Sequence, residues 1–245
     1  MTQEATAYKA PQDSAVTAIV PILVVSDVSA SMGSGPGTIS PIDVVNTGIE
    51  SLINTLKVHP EAADCALVGI AKFSTAAEMV MPFTHIGAAA IPPRMQTEGS
   101  TEFGNAFSLA RRELEAMVTF QKASGATVYR PTVYMITDGE PTDNGRWEAE
   151  LDALGTSSYA PNICVFGVAG ASEGTLRKIA RRDRGHVWLA DQGTDPASAF
   201  AALFPALVRS VMMSASAAAA TPGEHAAVPA PIPVAIPGMT TLDPM

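Results

Sequence analysis

The chain has 245 residues, 47% of them hydrophobic, and a formal net charge of -9 at neutral pH. That length suits one α/β domain of about 200 residues plus a tail. The acidic balance argues against a nucleic-acid or anionic-membrane surface and is compatible with binding a cation. Two cysteines, Cys65 and Cys164, lie inside apolar runs and read as buried free thiols, as in a reducing compartment such as the cytoplasm. Residues 1–15 are polar and mixed, with no basic stretch leading into an apolar core, so they read as a flexible N-terminus rather than a signal peptide. The most apolar later window, 197–220, is interrupted by Pro205 and Arg209 and falls short of a membrane span.

Residues 18–25, Ala-Ile-Val-Pro-Ile-Leu-Val-Val, are rich in β-branched side chains and bounded by polar ones, which predicts a strand buried on both faces. It runs into Asp27, Ser29 and Ser31. In open parallel sheets ligands sit beyond the carboxyl ends of the strands. One carboxylate and two hydroxyls supply only oxygen donors, which suit a hard cation such as Mg²⁺ better than zinc or copper. The plain alternative is a Ser-rich turn into a helix. The glycine-rich loop over 32–38 lacks the Gly-Lys-Ser/Thr of a phosphate loop. Ser40, Pro41 and Asp43 then mark a helix start as N-cap, first residue and capping acid. Ile42, Val45, Ile49, Leu52, Ile53 and Leu56 share one face of that helix, which His59-Pro60 ends.

Residues 65–73 predict a second buried strand and 78–81 an antiparallel edge strand, followed by His85 in a loop with no second His or Cys at metal spacing. An extended connection over 91–95 leads to Thr101, at or near the start of a helix whose inner face is Phe107, Ala110, Leu114, Met117 and Val118. N-capping is the ordinary role for a threonine there. The strand over 131–137 ends at the acid-rich turn Asp138-Gly139-Glu140-Pro141-Thr142-Asp143. A helix over 146–154, a strand over 163–168, a helix over 173–182, a strand over 186–189 and a helix from Asp195 to about Ser214 complete a domain placed at 16–214. Residues 215–245 are Ala-, Pro- and Thr-rich without aromatics, and are expected to be a disordered tail that stability does not need, with a short docking motif at Ile236-Pro237-Gly238-Met239 and Leu242 as the lesser alternative.

Strands alternating with helices predict an α/β fold. We expect a doubly wound, mostly parallel six-stranded sheet of order 3-2-1-4-5-6, with one antiparallel edge strand and helices on both faces. In that order the strand ending at Asp27 neighbours the strand ending at Asp138 across the topological switch point. Both carboxylates then share one crevice, with Thr101 on a loop above it. Two carboxylates and several hydroxyls leave waters on the cation and bind it modestly.

Asp27-Val28-Ser29-Ala30-Ser31, Thr101 and Asp138-Gly139, in that order, resemble the three parts of the metal-ion-dependent adhesion site of von Willebrand factor A (VWA) domains. Pro41-Ile42, Val45-Asn46-Thr47-Gly48-Ile49, Gly99-Ser100-Thr101 and residues 135–143 are similar to the bacterial tellurium-resistance members of that family. The resemblance covers roughly 16–214. Ala30 stands where glycine is frequent and Ser100 replaces a second glycine; neither change removes a ligand. The resemblance implies that Ser29, Ser31 and Thr101 contact Mg²⁺ or Mn²⁺ through their hydroxyls, with Asp27 and Asp138 acting directly or through water. An Asp or Glu of a partner protein would fill the open position. It further implies a non-enzymatic, cytoplasmic interaction module in a tellurite or stress-response system, alongside kinase or phosphatase partners.

Two rival functions start from the same residues. For a metal-dependent phosphohydrolase with Asp27 as nucleophile, resemblance to the haloacid-dehalogenase-like pattern would call for a second acid two residues on, where Ser29 stands. None of His59, His85, His186 and His225 has a catalytic context. A subunit of a chelatase or AAA-type machine is the other setting for VWA domains, and this chain has no ATPase motif of its own.

Overall fold

In the computed structural model, which describes residues 18–33, 39–168, 171–180, 185–220 and 235–242, strand β1 (Ala18–Asp27) is buried along its whole length. There follow α1 (Pro41–Lys57), α2 (Pro60–Cys65), β2 (Ala66–Phe73), β3 (Ala77–His85), α3 (Phe103–Ala123), β4 (Thr127–Val128) and β5 (Thr132–Thr137). The remainder is α4 (Arg146–Thr156), β6 (Asn162–Gly167), α5 (Glu173–Ala180), β7 (Gly185–Ala190), α6 (Pro196–Ala220) and β8 (Met239–Leu242). The sheet order is β3-β2-β1-β5-β6-β7-β8, with β4 paired to β1. The β2–β3 and β7–β8 pairings are antiparallel and the others parallel. The six expected strands therefore keep their expected order, and β4 and β8 are additions.

Side chains of β1 alternate between the two faces of the sheet. Val20, Ile22 and Val24 join a core cluster with α1, α2 and α6, while Ile19, Leu23 and Val25 join one with α3, α4 and α5. A proline inside a central strand removes a ladder donor. Pro21 falls in a gap on one flank of β1, between Ala18–Ile19 paired with β4 and Ile22–Ser26 paired with β5.

The α1 start is as expected: the Asp43 N–H donates to Ser40 Oγ at 3.3 Å, and Ser40 Oγ–H donates to Asp43 Oδ2 at 2.7 Å. All six apolar residues of its inner face are buried. Gly48 is where α1 meets α6, since a Cβ there would lie 2.0 Å from the Phe204 ring. Asn46 exchanges two hydrogen bonds with the Met95 backbone, at 3.0 and 2.8 Å, and so fixes the extended segment that leads toward Thr101.

Several expectations need correction. His59 does not simply close α1; its Nδ1 accepts from the Ala62 N–H at 3.4 Å and caps the added helix α2. The edge strand β3 has nine residues rather than four, and His85 is its buried last residue rather than a loop residue. The region after Ser214 is not all outside the fold. Helix α6 continues to Ala220, with Ala215 and Ala218 buried in the core. Alanine is the strongest helix former, and its small side chain packs closely. Further on, Ile236, Met239 and Leu242 are buried as β8 covers the outer edge of β7. The Thr240 hydroxyl donates to Asp191 Oδ1 at 2.6 Å, and the Asp191 N–H donates to the Gly238 carbonyl at 2.9 Å. Residues 1–15, expected to be flexible, lie outside the described residues. By length and composition the Pro196–Ala218 stretch of α6 passes for a membrane span, yet here its Phe200, Leu203, Phe204, Leu207 and Val211 are buried in the core.

Truncation after Ala220 removes β8 with its buried Met239 and Leu242, and the buried Ile236 that precedes it. The burial gain is offset by the ordering entropy of the segment, leaving a net loss of about 1–2 kcal/mol. The melting temperature should fall by roughly 3–6 °C; an unchanged value in a thermal scan would show that β8 adds no stability.

Candidate metal centre

Strands β1 and β5 end side by side. Ser26 is in register with Ile136, which sets Asp27 beside Thr137, and the Thr137 hydroxyl donates to Asp27 Oδ2 at 2.7 Å. The other oxygen, Oδ1, accepts from the Ser29 N–H at 2.8 Å. The chain then tightens into a 3-10 turn, Ala30–Gly33, in which the Met32 N–H donates to the Ser29 carbonyl at 3.0 Å. That turn puts Ser29 Oγ and Ser31 Oγ 3.1 Å apart, and the Ser31 hydroxyl donates to Asp138 Oδ1 at 2.7 Å. Asp27, Ser29, Ser31 and Asp138 thus form one hydrogen-bonded group across the switch point.

Thr101 arrives from the loop after the 91–95 segment. That loop is fastened to the first: the Glu98 N–H donates to the Val28 carbonyl at 2.7 Å, and the Ala30 N–H to the Gly99 carbonyl at 3.3 Å. Gly99 has φ +66°, and a Cβ on it would lie 2.4 Å from Thr75 Oγ1, so glycine is required there twice over. Lys72 pairs with Glu98 at 2.8 Å and with Glu78 at 3.1 Å at the loop's base. Thr101 is 6% exposed. Its hydroxyl lies against the turn after β5, 3.3 Å from where a Cβ of Gly139 would stand. Helix α3 begins two residues later, with Glu102 at the cap position. Among the described residues no cap bond from the Thr101 side chain is seen, so the ordinary N-cap role is not the one it plays.

All five residues singled out in the sequence therefore converge. Thr137 was missed. Its signal is a hydroxyl one residue before an acid at the end of a parallel strand, and its use depends on a register that no local pattern specifies.

Asp27 is 0% exposed and Asp138 6%. Burial pushes the Asp27 carboxyl up to about 6, against the lowering effect of the Ser29 and Thr137 hydrogen bonds, and the Asp138 charge adds to the rise. Burial also raises Asp138, while the Ser31 hydroxyl lowers it. Among the described residues no Lys, Arg or His forms an ion pair with either acid. Two desolvated carboxylates without a counter-charge, ringed by hydroxyls, fit a hard divalent cation. Among the described residues no cluster of three or more His, Cys, Asp or Glu forms a rival site. A cleft of about 450 Å³ opens at the other end of the sheet, but no carboxylate lines it. Its Lys122 lies in the last turn of α3 and its Arg130 donates to the Ala160 carbonyl at 3.2 Å, so both cations are engaged by a helix end or backbone.

A carboxyl whose folded-state value is raised contributes stability that is fully present below the unfolded value of 3.8 and is lost as pH rises through about 6. Without metal, Asp27→Asn should therefore gain on the wild type as pH rises from 4 to 6 and hold its advantage at pH 7, at roughly 2–3 kcal/mol. Wild-type Mg²⁺ affinity should fall as pH drops through 6, where protons compete for Asp27. Urea unfolding at a series of pH values checks the first expectation; a stability difference flat across that range would refute it.

Residues 22–140 match the family model described as von Willebrand factor type A domain, a segment that contains all five converging residues. No curated protein matches the chain in sequence. Among solved structures, the pilus adhesin SpaC from Lactobacillus rhamnosus GG superposes with a TM-score of 0.61 at 17% identity, over 82% of this chain and 31% of its own. A von Willebrand factor type A protein from Catenulispora acidiphila gives 0.56 at 16% identity, over 80% and 43%. Proximal thread matrix protein 1 of the mussel byssus, in a form with a zinc-occupied MIDAS motif, gives 0.55 at 19% identity, over 79% and 48%. This chain thus spans less than half the length of each, and at such identities the likeness is one of fold. Over residues 22–140 the sequence match and the fold agree on a von Willebrand factor type A domain.

Proposed function

We propose that this VWA domain is a divalent-cation-dependent protein-interaction module without catalytic activity of its own. In this reading Asp27, Ser29, Ser31, Thr101 and Asp138 hold Mg²⁺ or Mn²⁺, and an Asp or Glu of a partner protein completes the shell. The observation that carries it is the run of hydrogen bonds from Thr137 through Asp27 and Ser29 to Ser31 and Asp138, with Thr101 against its end. The site offers oxygen donors alone and only two formal negative charges. A doubly charged ion held there, its first shell otherwise neutral hydroxyls, favours an incoming carboxylate.

Among the described residues, no histidine stands beside Asp27 as the base that the hydrolytic alternative would use. His59 caps α2, His85 ends β3 at the level of Leu67, far down β2 from Phe73, and His186 lies on β7; His225 lies outside the described residues. A narrower setting, a cytoplasmic tellurite or stress-response system with kinase or phosphatase partners, rests on the likeness of residues 41–49, 99–101 and 135–143 to the tellurium-resistance proteins. The acidic chain and its buried thiols, Cys65 and Cys164, are in keeping with it.

Because Thr101 does not cap α3, Thr101→Ala separates function from folding. Mg²⁺ affinity should fall at least about tenfold, with stability changed by less than about 1 kcal/mol. Partner capture from a lysate should succeed in Mg²⁺, fail in EDTA, and fail with Thr101→Ala or Asp27→Ala. A complex that forms equally well in EDTA would leave an ordinary protein interface and sink the metal-mediated reading.

A further inference from the structure

The turn after β5 contains more polar side chains than a single metal ligand requires. Helix α3 leaves its first N–H groups without a local side-chain cap. Asp143, thirty-nine residues further along the chain, supplies one: its Oδ2 accepts from the Gly104 N–H at 2.7 Å. The missing side chain at Gly104 leaves room for it, since a Cβ there would stand 2.8 Å from that oxygen. Beside it the Thr142 N–H and hydroxyl both donate to the Thr101 carbonyl, at 2.8 and 3.1 Å. Thr101 is thus held through its own carbonyl and through a residue three positions on. Phe103, between them, is wedged edge-on against Phe73 and Trp147, with ring centroids 5.7 and 6.2 Å away. On its other side the turn is fastened to α5, where the Glu140 carboxylate accepts from the Ser172 N–H and, at 2.8 Å, from the Thr175 hydroxyl.

Capping alone needs one acceptor oxygen. The second oxygen of Asp143, Oδ1, is buried and without a hydrogen-bond partner among the described residues, a cost that helix capping does not require.

We propose that Asp143, together with Thr142, is a positioning residue for the cation: the turn that carries Asp138 grips the loop that carries Thr101, so the two ligands keep their separation as one body. Asp143 does not touch the ion. It acts by denying Thr101 the freedom to withdraw, as outer partners of metal ligands do. The inference rests on the reading of Thr101 as a ligand.

The test measures Mg²⁺ affinity by calorimetry and hydrogen exchange at the Gly104 amide, on the full chain. Asp143→Ala should weaken Mg²⁺ binding about tenfold and speed Gly104 exchange. Asp143→Asn keeps an acceptor oxygen and should restore both. Combined with Thr101→Ala, Asp143→Ala should add nothing, because the group it positions has gone. If Asp143→Ala does not fold, Thr142→Val removes one of the two bonds to the Thr101 carbonyl and should weaken Mg²⁺ binding by about threefold. Thr101→Ala that weakens binding, with Asp143→Ala or Thr142→Val at wild-type affinity, overturns the clasp and leaves the metal reading intact. Thr101→Ala at wild-type affinity overturns both.

Discussion

Two carboxylates, Asp27 and Asp138, sit at the ends of adjacent strands, out of water and without a basic side chain paired to either among the described residues. Burying an ionised acid costs several kcal/mol unless the charge is compensated. The donors provided, one hydrogen bond to each Asp27 oxygen and one from Ser31 to Asp138, recover about 1.5–3 kcal/mol apiece. That is less than full compensation, and the remaining deficit shows as carboxyls raised above their ordinary values. At neutral pH the pair is consistent with a site that wants a cation. The rest of the architecture can be understood as keeping the deficit in place.

Strand β1 keeps it there first. All ten of its residues are buried, with core clusters on both faces and paired strands on both flanks, so Asp27 cannot swing into water without unpicking the centre of the sheet. The ladder continues past the acid, with the Val28 N–H donating to the Phe73 carbonyl at 2.9 Å. The loops above are as well fastened. Glu98 and Gly99 bond to the Val28–Ala30 segment, and Lys72 anchors Glu98 to β2. Ser100 suits this arrangement: its Oγ lies 3.1 Å from Thr75 Oγ1, a contact that glycine could not make. Affinity in such a site comes from donors already in place rather than from donors gathered around the ion.

The parts of this organisation that were legible in the sequence are those carried by local period and chain order. The apolar run before Asp27, the inner faces of α1 and α3, and the adjacency of Asp27 and Asp138 all follow from short patterns plus the rules for winding a parallel sheet. What could not be read is non-local or averaged away. The real cap of α3 is an aspartate thirty-nine residues downstream, so Thr101 looked like the cap by default. Helix α2 starts on a histidine, which is outside the usual capping set. Strand β8 is four residues inside an Ala- and Pro-rich stretch. Composition taken over the whole stretch hides it, although Ile236, Met239 and Leu242 recur at intervals of three.

The overall charge bears on which part of the surface can recognise a partner acid. At -9 the chain repels an acidic protein at long range, so general electrostatic steering works against the association proposed for it. At physiological ionic strength that repulsion is screened beyond about 8 Å. Within that distance the local charges decide. On the proposed reading, an ion of charge +2 over two buried carboxylates would be an attractive point on a repulsive surface, acting at short range. Selectivity would then depend on the side chains around the proposed ion. Arg146, held to Glu102 and Asn105 at 2.9 and 3.1 Å, and the hydroxyls of Thr75 and Ser100 are polar groups close to Thr101 in the chain or bonded to its neighbours. The metal would make an acidic residue welcome, and these neighbours would sort one acidic partner from another.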